Sequence, residues 1–121
     1  MDNIKTIFCT CAMRSGAALL TRMLSANPGI KISSGILNFF RFFYNRYEPI
    51  KKEKNYKKLI FDASYRLLHR FGIKIDQTQI LNFLKKEGVN YSNLYLALSY
   101  EIFKKQNPKI IGDQEGNAWN Y

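Results

Sequence analysis

A cation, a hydroxyl and a glycine stand together near the start of the chain, between an apolar run and a leucine-rich segment. The residues concerned are Arg14, Ser15, Gly16, Ala17, Ala18 and Leu19. If a helix begins here, its first backbone N–H groups have no partner within the helix and the positive end of its dipole faces the turn. Glycine lets the chain approach a ligand closely. The sequence therefore predicts an anion site, best suited to phosphate or sulfate.

The elements on either side of this turn predict an α/β fold. Lys5 to Cys11 is an apolar run typical of a strand buried on both faces of a parallel sheet. Ser15 to Ala26 reads as a helix in which Leu19, Leu20, Met23 and Leu24 share one face, and Asn27-Pro28-Gly29 ends it. Ile30 to Ser33 is a second short strand. Strand, helix and strand predict a right-handed parallel βαβ unit.

The rest of the chain is expected to be mostly helical, with one more strand. The predicted elements are a charged link over Lys51 to Lys58, helices over Leu59 to Phe71, Asp76 to Glu87 and Ser92 to Gln106, and a strand over Lys109 to Asp113. Gly72 is expected to cap the end of the first of these helices, and Asp76 the start of the second. Ligands of open α/β sheets bind outside the carboxyl ends of the strands. Arg14, Ser34 and Asp113 are therefore expected at one edge of a small parallel sheet.

Composition limits the classes of protein to which the chain can belong. Its 121 residues are 46% hydrophobic and 15% aromatic, which argues against disorder and fits one domain over residues 1–121. The formal net charge of +10 favours polyanionic partners, among them nucleotides, nucleic acid, acidic glycans and anionic membrane surfaces. An A/T-rich genome, which favours Lys, Asn and Ile codons, gives the same balance. No run is long enough to span a membrane, and no secretion signal is evident.

The two cysteines, Cys9 and Cys11, are placed too far apart along a strand for an easy disulfide, and no metal-ligand spacing is present. We expect buried thiols in a cytoplasmic protein without a metal.

Four segments resemble the sulfotransferase family. Cys11 to Leu24 is similar to the family's sulfonate-donor loop, which has a Pro-Arg-Ser-Gly-Thr-Thr-Leu-Leu type of signature. Asn27-Pro28 stands where the family has His-Pro, and Asn38 to Phe43 looks like the aromatic segment that some members carry next. Ile110 to Gln114 resembles the family's Gly-Asp-Lys strand end. The resemblance covers nearly the whole chain in order.

This resemblance implies a P-loop-like three-layer fold that binds 3′-phosphoadenosine-5′-phosphosulfate (PAPS) and transfers its sulfonate to a hydroxyl or amine. Arg14 would grip the phosphosulfate and stabilise the charge that develops on the bridging oxygen. The backbone N–H groups of residues 15–19 would cradle the phosphate. Ala17 and Ala18 stand where the family has hydroxyl side chains, so weaker donor binding is expected. Met13 replaces the usual proline, and Gln114 replaces the lysine after Asp113.

The family holds the 3′-phosphate of the nucleotide with an arginine and a serine on a later part of the sequence, which this chain lacks. We therefore expect a truncated sulfotransferase-like domain that is partly or wholly inactive. The alternative is a basic binding module without catalysis, attracted to nucleic acid or acidic glycan.

Other residues admit a chemical and a structural interpretation. Glu48, His69 and Asp113 are candidate general bases, but His69 fits a helix surface and Asp113 fits a strand-end residue that bonds the loop around Arg14. The aromatic residues from Phe39 to Tyr47 could line an acceptor pocket or stack on bases beside Arg41 and Arg46, or they could form the core.

Overall fold

A computed structural model of the chain describes residues 4–11 and 17–116. Its elements in order are β1 (Lys5–Cys11), α1 (Ala17–Ser25), β2 (Ile30–Ser34), α2 (Phe39–Phe42), α3 (Glu53–Phe71), α4 (Gln77–Glu87), α5 (Tyr91–Phe103), a 3₁₀ turn (Lys104–Gln106) and β3 (Ile110–Gly116). The fold is α/β, a small parallel sheet with flanking helices, as predicted.

The sheet has the strand order β1-β3-β2, and both pairings are parallel. The βαβ unit expected from the sequence therefore contains two parallel strands that are not neighbours, because β3 lies between them. In register, Ile7 and Ile32 both lie opposite Gly112. A Cβ atom at Gly112 would collide with the backbone carbonyl of Ile7, so the close approach of β1 and β3 requires glycine there.

Capping residues mark most of the helix ends where the sequence predicts them. The carboxylate of Asp76 accepts a hydrogen bond of 3.2 Å from the backbone N–H of Gln79 at the start of α4. Asn90 caps α5 in the same way through Asn93, at 2.7 Å, so this helix begins one residue before the predicted Ser92. Gly72 adopts a φ of +66° directly after α3, the left-handed conformation in which many helices end.

The start of α3 corrects one prediction. The lysine-rich segment over 51–58 is not a link, because α3 begins at Glu53 and takes in Lys54, Lys57 and Lys58. Glu53 lies in the first turn, where a negative charge is favourable, and it pairs with Lys57 four residues later. The helix thus begins about two turns before its first fully buried residue, Leu59, and Tyr56 in these turns packs partly against the core.

The main hydrophobic core lies among the helices. It is a cluster of buried side chains between Leu37 and Leu98 that includes Phe39, Leu59 and Leu67. On the sheet, Ile32 and Ile111 are also buried. No helix in the described part of the chain is long and apolar enough to cross a membrane.

The apolar face predicted for α1 does not face the sheet. Leu19, Leu20 and Met23 are 58%, 51% and 65% exposed, whereas Thr21 is buried. The helix packs against β2 and β1 through its smaller, partly polar side. Periodicity identified this helix correctly but not the side that it buries.

Candidate functional site

The carboxyl ends of all three strands meet at one edge of the sheet, because every pairing is parallel. β1 ends there at Cys11, and α1 begins six residues later, at Ala17. The end of β1 and the connection to α1 therefore belong to the edge at which α/β sheets bind ligands. This edge is the candidate site.

Only some of the residues predicted to bind an anion lie in the part of the chain that the structure describes. Arg14, Ser15 and Gly16 lie outside the described residues. Ala17, Ala18 and Leu19 form the first turn of α1, where a helix has backbone N–H groups without partners inside the helix. These N–H groups are available to donate hydrogen bonds to an anion bound at the start of α1.

Asp113 does not lie at the end of its strand, contrary to the prediction. β3 continues three residues further to Gly116, about 10 Å at the usual rise per residue. The Asp113 side chain is fully buried, and its Oδ1 accepts hydrogen bonds from the Ser33 hydroxyl at 2.8 Å and from the backbone N–H of Gln114 at 3.0 Å. Such a carboxylate joins the central strand to β2 and is poorly placed to take a proton from a substrate.

Ser34 and Gln114 lie one residue closer to the edge. The Ser34 hydroxyl donates to Gln114 Oε1 at 2.6 Å, and Ser34 is exposed. Gln114 stands where the sulfotransferase resemblance has a lysine. An amide at this position offers a substrate polar contacts without a charge.

The two remaining candidate bases lie in the helical part of the molecule. The ring of His69 stacks at 4.1 Å on that of Tyr65, both on α3. The Glu48 carboxylate accepts from the backbone N–H of Ile50 at 3.3 Å, in the loop between α2 and α3. Both residues thus have contacts within the helical part of the molecule, which fit structural roles.

The aromatic segment contributes mainly to the core. Phe39 and Phe43 are buried, and the Phe39 ring packs edge-on against Tyr91 and Tyr95 of α5. A cavity of about 360 Å³ adjoins these rings; its lining consists of Thr6, Phe39, Phe40, Tyr44, Tyr91, Ser92 and Tyr95. It touches β1 at Thr6, five residues or about 16 Å before the end of that strand. This distance is too long for an acceptor bound there to meet a donor at the turn.

Arg66 is a positioning residue that sequence reasoning missed. Its Nε donates to the carbonyl of Ile36 at 3.0 Å and its Nη2 to that of Gly35 at 3.3 Å, while the guanidinium lies 4.4 Å from the centre of the Phe42 ring. Burial, together with the charges of Arg70 and Arg41, lowers the pKa of Arg66. The contact ties α3 to the loop that follows β2. Since 30 positions separate the partners, no local pattern could have indicated it.

Tyr47 also contacts a residue that is distant from it in the sequence. Its hydroxyl donates to Asp62 Oδ2 on α3 at 2.6 Å. Burial and this carboxylate raise the pKa of Tyr47 well above its ordinary value, because both disfavour the phenolate. The pair joins the aromatic segment to α3.

Within residues 4–11 and 17–116, no group of three or more His, Cys, Asp or Glu side chains could hold a metal ion.

No family model matches the chain, and no curated protein or solved structure matches it either.

Proposed function

We propose that the chain binds PAPS at the turn between β1 and α1 and is a sulfotransferase-type domain of P-loop-like architecture. The observation that carries this proposal is the parallel arrangement of the three strands, which brings the end of β1 and the start of α1 to the ligand-binding edge. The Arg-Ser-Gly sequence lies in the connection between them.

Electrostatics support an anionic ligand at this place. Backbone N–H groups at a helix start and a neighbouring guanidinium both favour phosphate or sulfate oxygens. Ala17 and Ala18 contribute no hydroxyl donors, so the backbone and Arg14 carry the binding. We expect weaker affinity than in a loop with two hydroxyl side chains, since each such bond to a charged group contributes about 1.5–3 kcal/mol.

In the proposed reaction, an acceptor hydroxyl or amine attacks the sulfur of PAPS. The bond between sulfur and the bridging phosphate oxygen breaks, and adenosine 3′,5′-bisphosphate leaves with that oxygen. Arg14 and the helix N–H groups stabilise the negative charge that develops there. The acceptor loses its proton to solvent, and Asp113, whose carboxylate is fully buried against Ser33, is not the base in this proposal. We place this activity in the cytoplasm, because the spacing of Cys9 and Cys11 along the sequence does not suit a disulfide.

Isothermal titration calorimetry with PAPS and with adenosine 3′,5′-bisphosphate tests the proposal. We expect measurable binding below millimolar ligand, and an Arg14→Ala variant weakened by roughly 10- to 100-fold, since it loses a charged hydrogen-bond donor. The matched control is Arg22→Ala, an exposed arginine at the other end of α1 that should bind like the unmodified chain. Absence of heat at millimolar ligand, or equal heat in Arg14→Ala, would reject the site.

The net charge of +10 supports a second candidate, a basic module that binds nucleic acid or acidic glycan without catalysis. It predicts binding to unrelated polyanions that weakens steeply with salt and is unchanged by Arg14→Ala. The same two variants therefore separate the candidates.

A further inference from the structure

α3 carries a row of large apolar side chains that face solvent. Phe61, Tyr65, Leu68 and Phe71 are 59%, 59%, 45% and 40% exposed. They follow one another at intervals of four, three and three residues, which places them along one side of a helix. We call these four residues the outer stripe.

The outer stripe is a second apolar face of α3. The helix already buries Leu59, Ile60, Ala63 and Leu67 in the core, each at 1% exposure or less. Packing within the molecule therefore does not require aromatic residues on the outside. Several exposed apolar side chains in a row are typical of a surface that meets another apolar phase.

Cations precede the outer stripe on the same side of the helix. Lys54, Lys57 and Lys58 lie seven, four and three residues before Phe61, spacings that return to the same side of a helix. Over its whole length α3 has five Lys and Arg residues and two carboxylates, a net charge of +3. Exposed pairs such as Lys57 with Glu53 contribute little and do not remove this excess.

Two arginines lie beside the apolar end. Arg66 and Arg70 line an open depression next to Tyr65, together with His69. In the described part of the chain, neither Arg66 nor Arg70 forms an ion pair with a carboxylate. The outer stripe is therefore bordered by lysines at one end and by arginines along its flank.

We infer that the outer side of α3 binds an anionic phospholipid surface. Phe61, Tyr65 and Leu68 enter the boundary between headgroups and acyl chains, while Lys54, Lys57 and Lys58 contact lipid phosphates. Basic residues beside exposed aromatic and leucine side chains are the combination that interfacial helices use. Tyr65 suits this boundary, since its ring is apolar and its hydroxyl is polar.

Charge and shape favour lipid over a second copy of the chain. Two outer stripes packed together would bring two sets of lysines into proximity in a protein of net charge +10. The stripe follows the ridge of a single helix, and a deformable surface covers a ridge without needing a complementary groove. The proposal is independent of PAPS binding.

Vesicle co-sedimentation tests this inference with vesicles of phosphatidylcholine alone and of phosphatidylcholine with 30% phosphatidylserine. We expect binding to the second kind only. Phe61→Ser/Leu68→Ser should weaken it roughly tenfold through lost apolar burial, and Lys54→Gln/Lys58→Gln roughly tenfold or more through lost charge. The matched control is Leu20→Ser/Met23→Ser, which changes comparably exposed apolar residues of α1 and should leave binding within twofold. Thermal denaturation confirms that each variant is folded.

The inference is overturned by equal binding to both kinds of vesicle, by no binding to either, or by an α1 control that is as weak as the α3 variant. Unchanged binding of Phe61→Ser/Leu68→Ser would indicate attraction by charge alone. Sedimentation velocity without lipid adds a further check, because a dimer that this variant abolishes would assign the outer stripe to contact between two copies.

Discussion

At the scale of single residues, the contact between Ser33 and Asp113 indicates a structural role for Asp113 rather than the role of a general base. Asp113 is fully buried in the central strand and accepts the Ser33 hydroxyl at 2.8 Å. A buried carboxylate without its donors is costly, so this bond contributes to the pairing of β2 with β3. The neighbouring pair, Ser34 with Gln114, has the same chemistry in an exposed place.

The two serines allow a matched experiment. Ser33→Ala should lower the free energy of unfolding by about 1–3 kcal/mol, because Asp113 loses a donor in the interior. Ser34→Ala should change it by less than about 0.5 kcal/mol, since water replaces the lost partner. Urea denaturation measures both. Equal effects of the two substitutions would contradict the structural role assigned to Asp113.

Single-residue predictions from the sequence succeeded where the signal was local. The capping roles of Asp76 and Gly72 follow from residue type and position, and the structure confirms both. The contact of Ser33 with Asp113 spans 80 positions, and that of Arg66 with the loop after β2 spans 30. Such partners depend on which strands and helices become neighbours, which residue type alone does not determine.

At the scale of elements, the central position of β3 decides the geometry of the candidate site. The strand pairs with β1 on one side and β2 on the other, so it sets how far apart the ends of those strands lie. Its Gly112 permits close contact with Ile7 of β1. A change at this point would act on the strand that leads into the Arg14 turn.

Gly112→Ala should therefore destabilise the sheet. The added Cβ meets the backbone carbonyl of Ile7, which cannot turn aside as a side chain would, and we expect a loss of roughly 2–3 kcal/mol in the free energy of unfolding. Gly29→Ala is the control, because its Cβ would have Asn27 Oδ1 as nearest neighbour at 3.5 Å, an ordinary contact. Urea denaturation followed by circular dichroism measures the difference. A Gly112→Ala variant as stable as Gly29→Ala would show that β1 and β3 are not closely packed here.

The start of α3 shows that apolar periodicity alone does not locate the first residue of a helix. Apolar periodicity begins at Leu59 and predicts a helix from that residue, whereas the helix begins at Glu53. The turns before Leu59 carry mainly exposed charged side chains, and Tyr56 among them packs partly against the core. The pairing of Glu53 with Lys57 was the available signal.

At the scale of the whole molecule, the helices hold the main core and the sheet is a smaller unit beside it. The buried cluster lies between Leu37 and Leu98, and its fully buried members include Leu59, Leu67 and Leu94. In the described part of the chain, β1 pairs with a single strand. Stability should therefore be greatest in the helices.

Native-state hydrogen exchange can test this division. Backbone amides in the buried turns of α3 and α5 should exchange at least roughly tenfold more slowly than those of β1, because partial opening of a small sheet precedes global unfolding. Nuclear magnetic resonance with increasing urea gives the exchange rate of each amide. Equal protection of β1 and α5 at all urea concentrations would indicate one cooperative unit instead.

The sequence by itself determined the local features of this protein: an apolar first strand, a helix after the Arg-Ser-Gly turn, capped helices and an excess of positive charge. These depend on residues within a few positions of one another, whose steric and hydrogen-bonding preferences act in any fold. Tertiary structure alone decided that β3 lies between β1 and β2, that Asp113 is buried, and that Leu19 and Phe61 face solvent. Those outcomes depend on which apolar surfaces, far apart in the sequence, pack together in the interior. Burying one apolar face leaves another exposed.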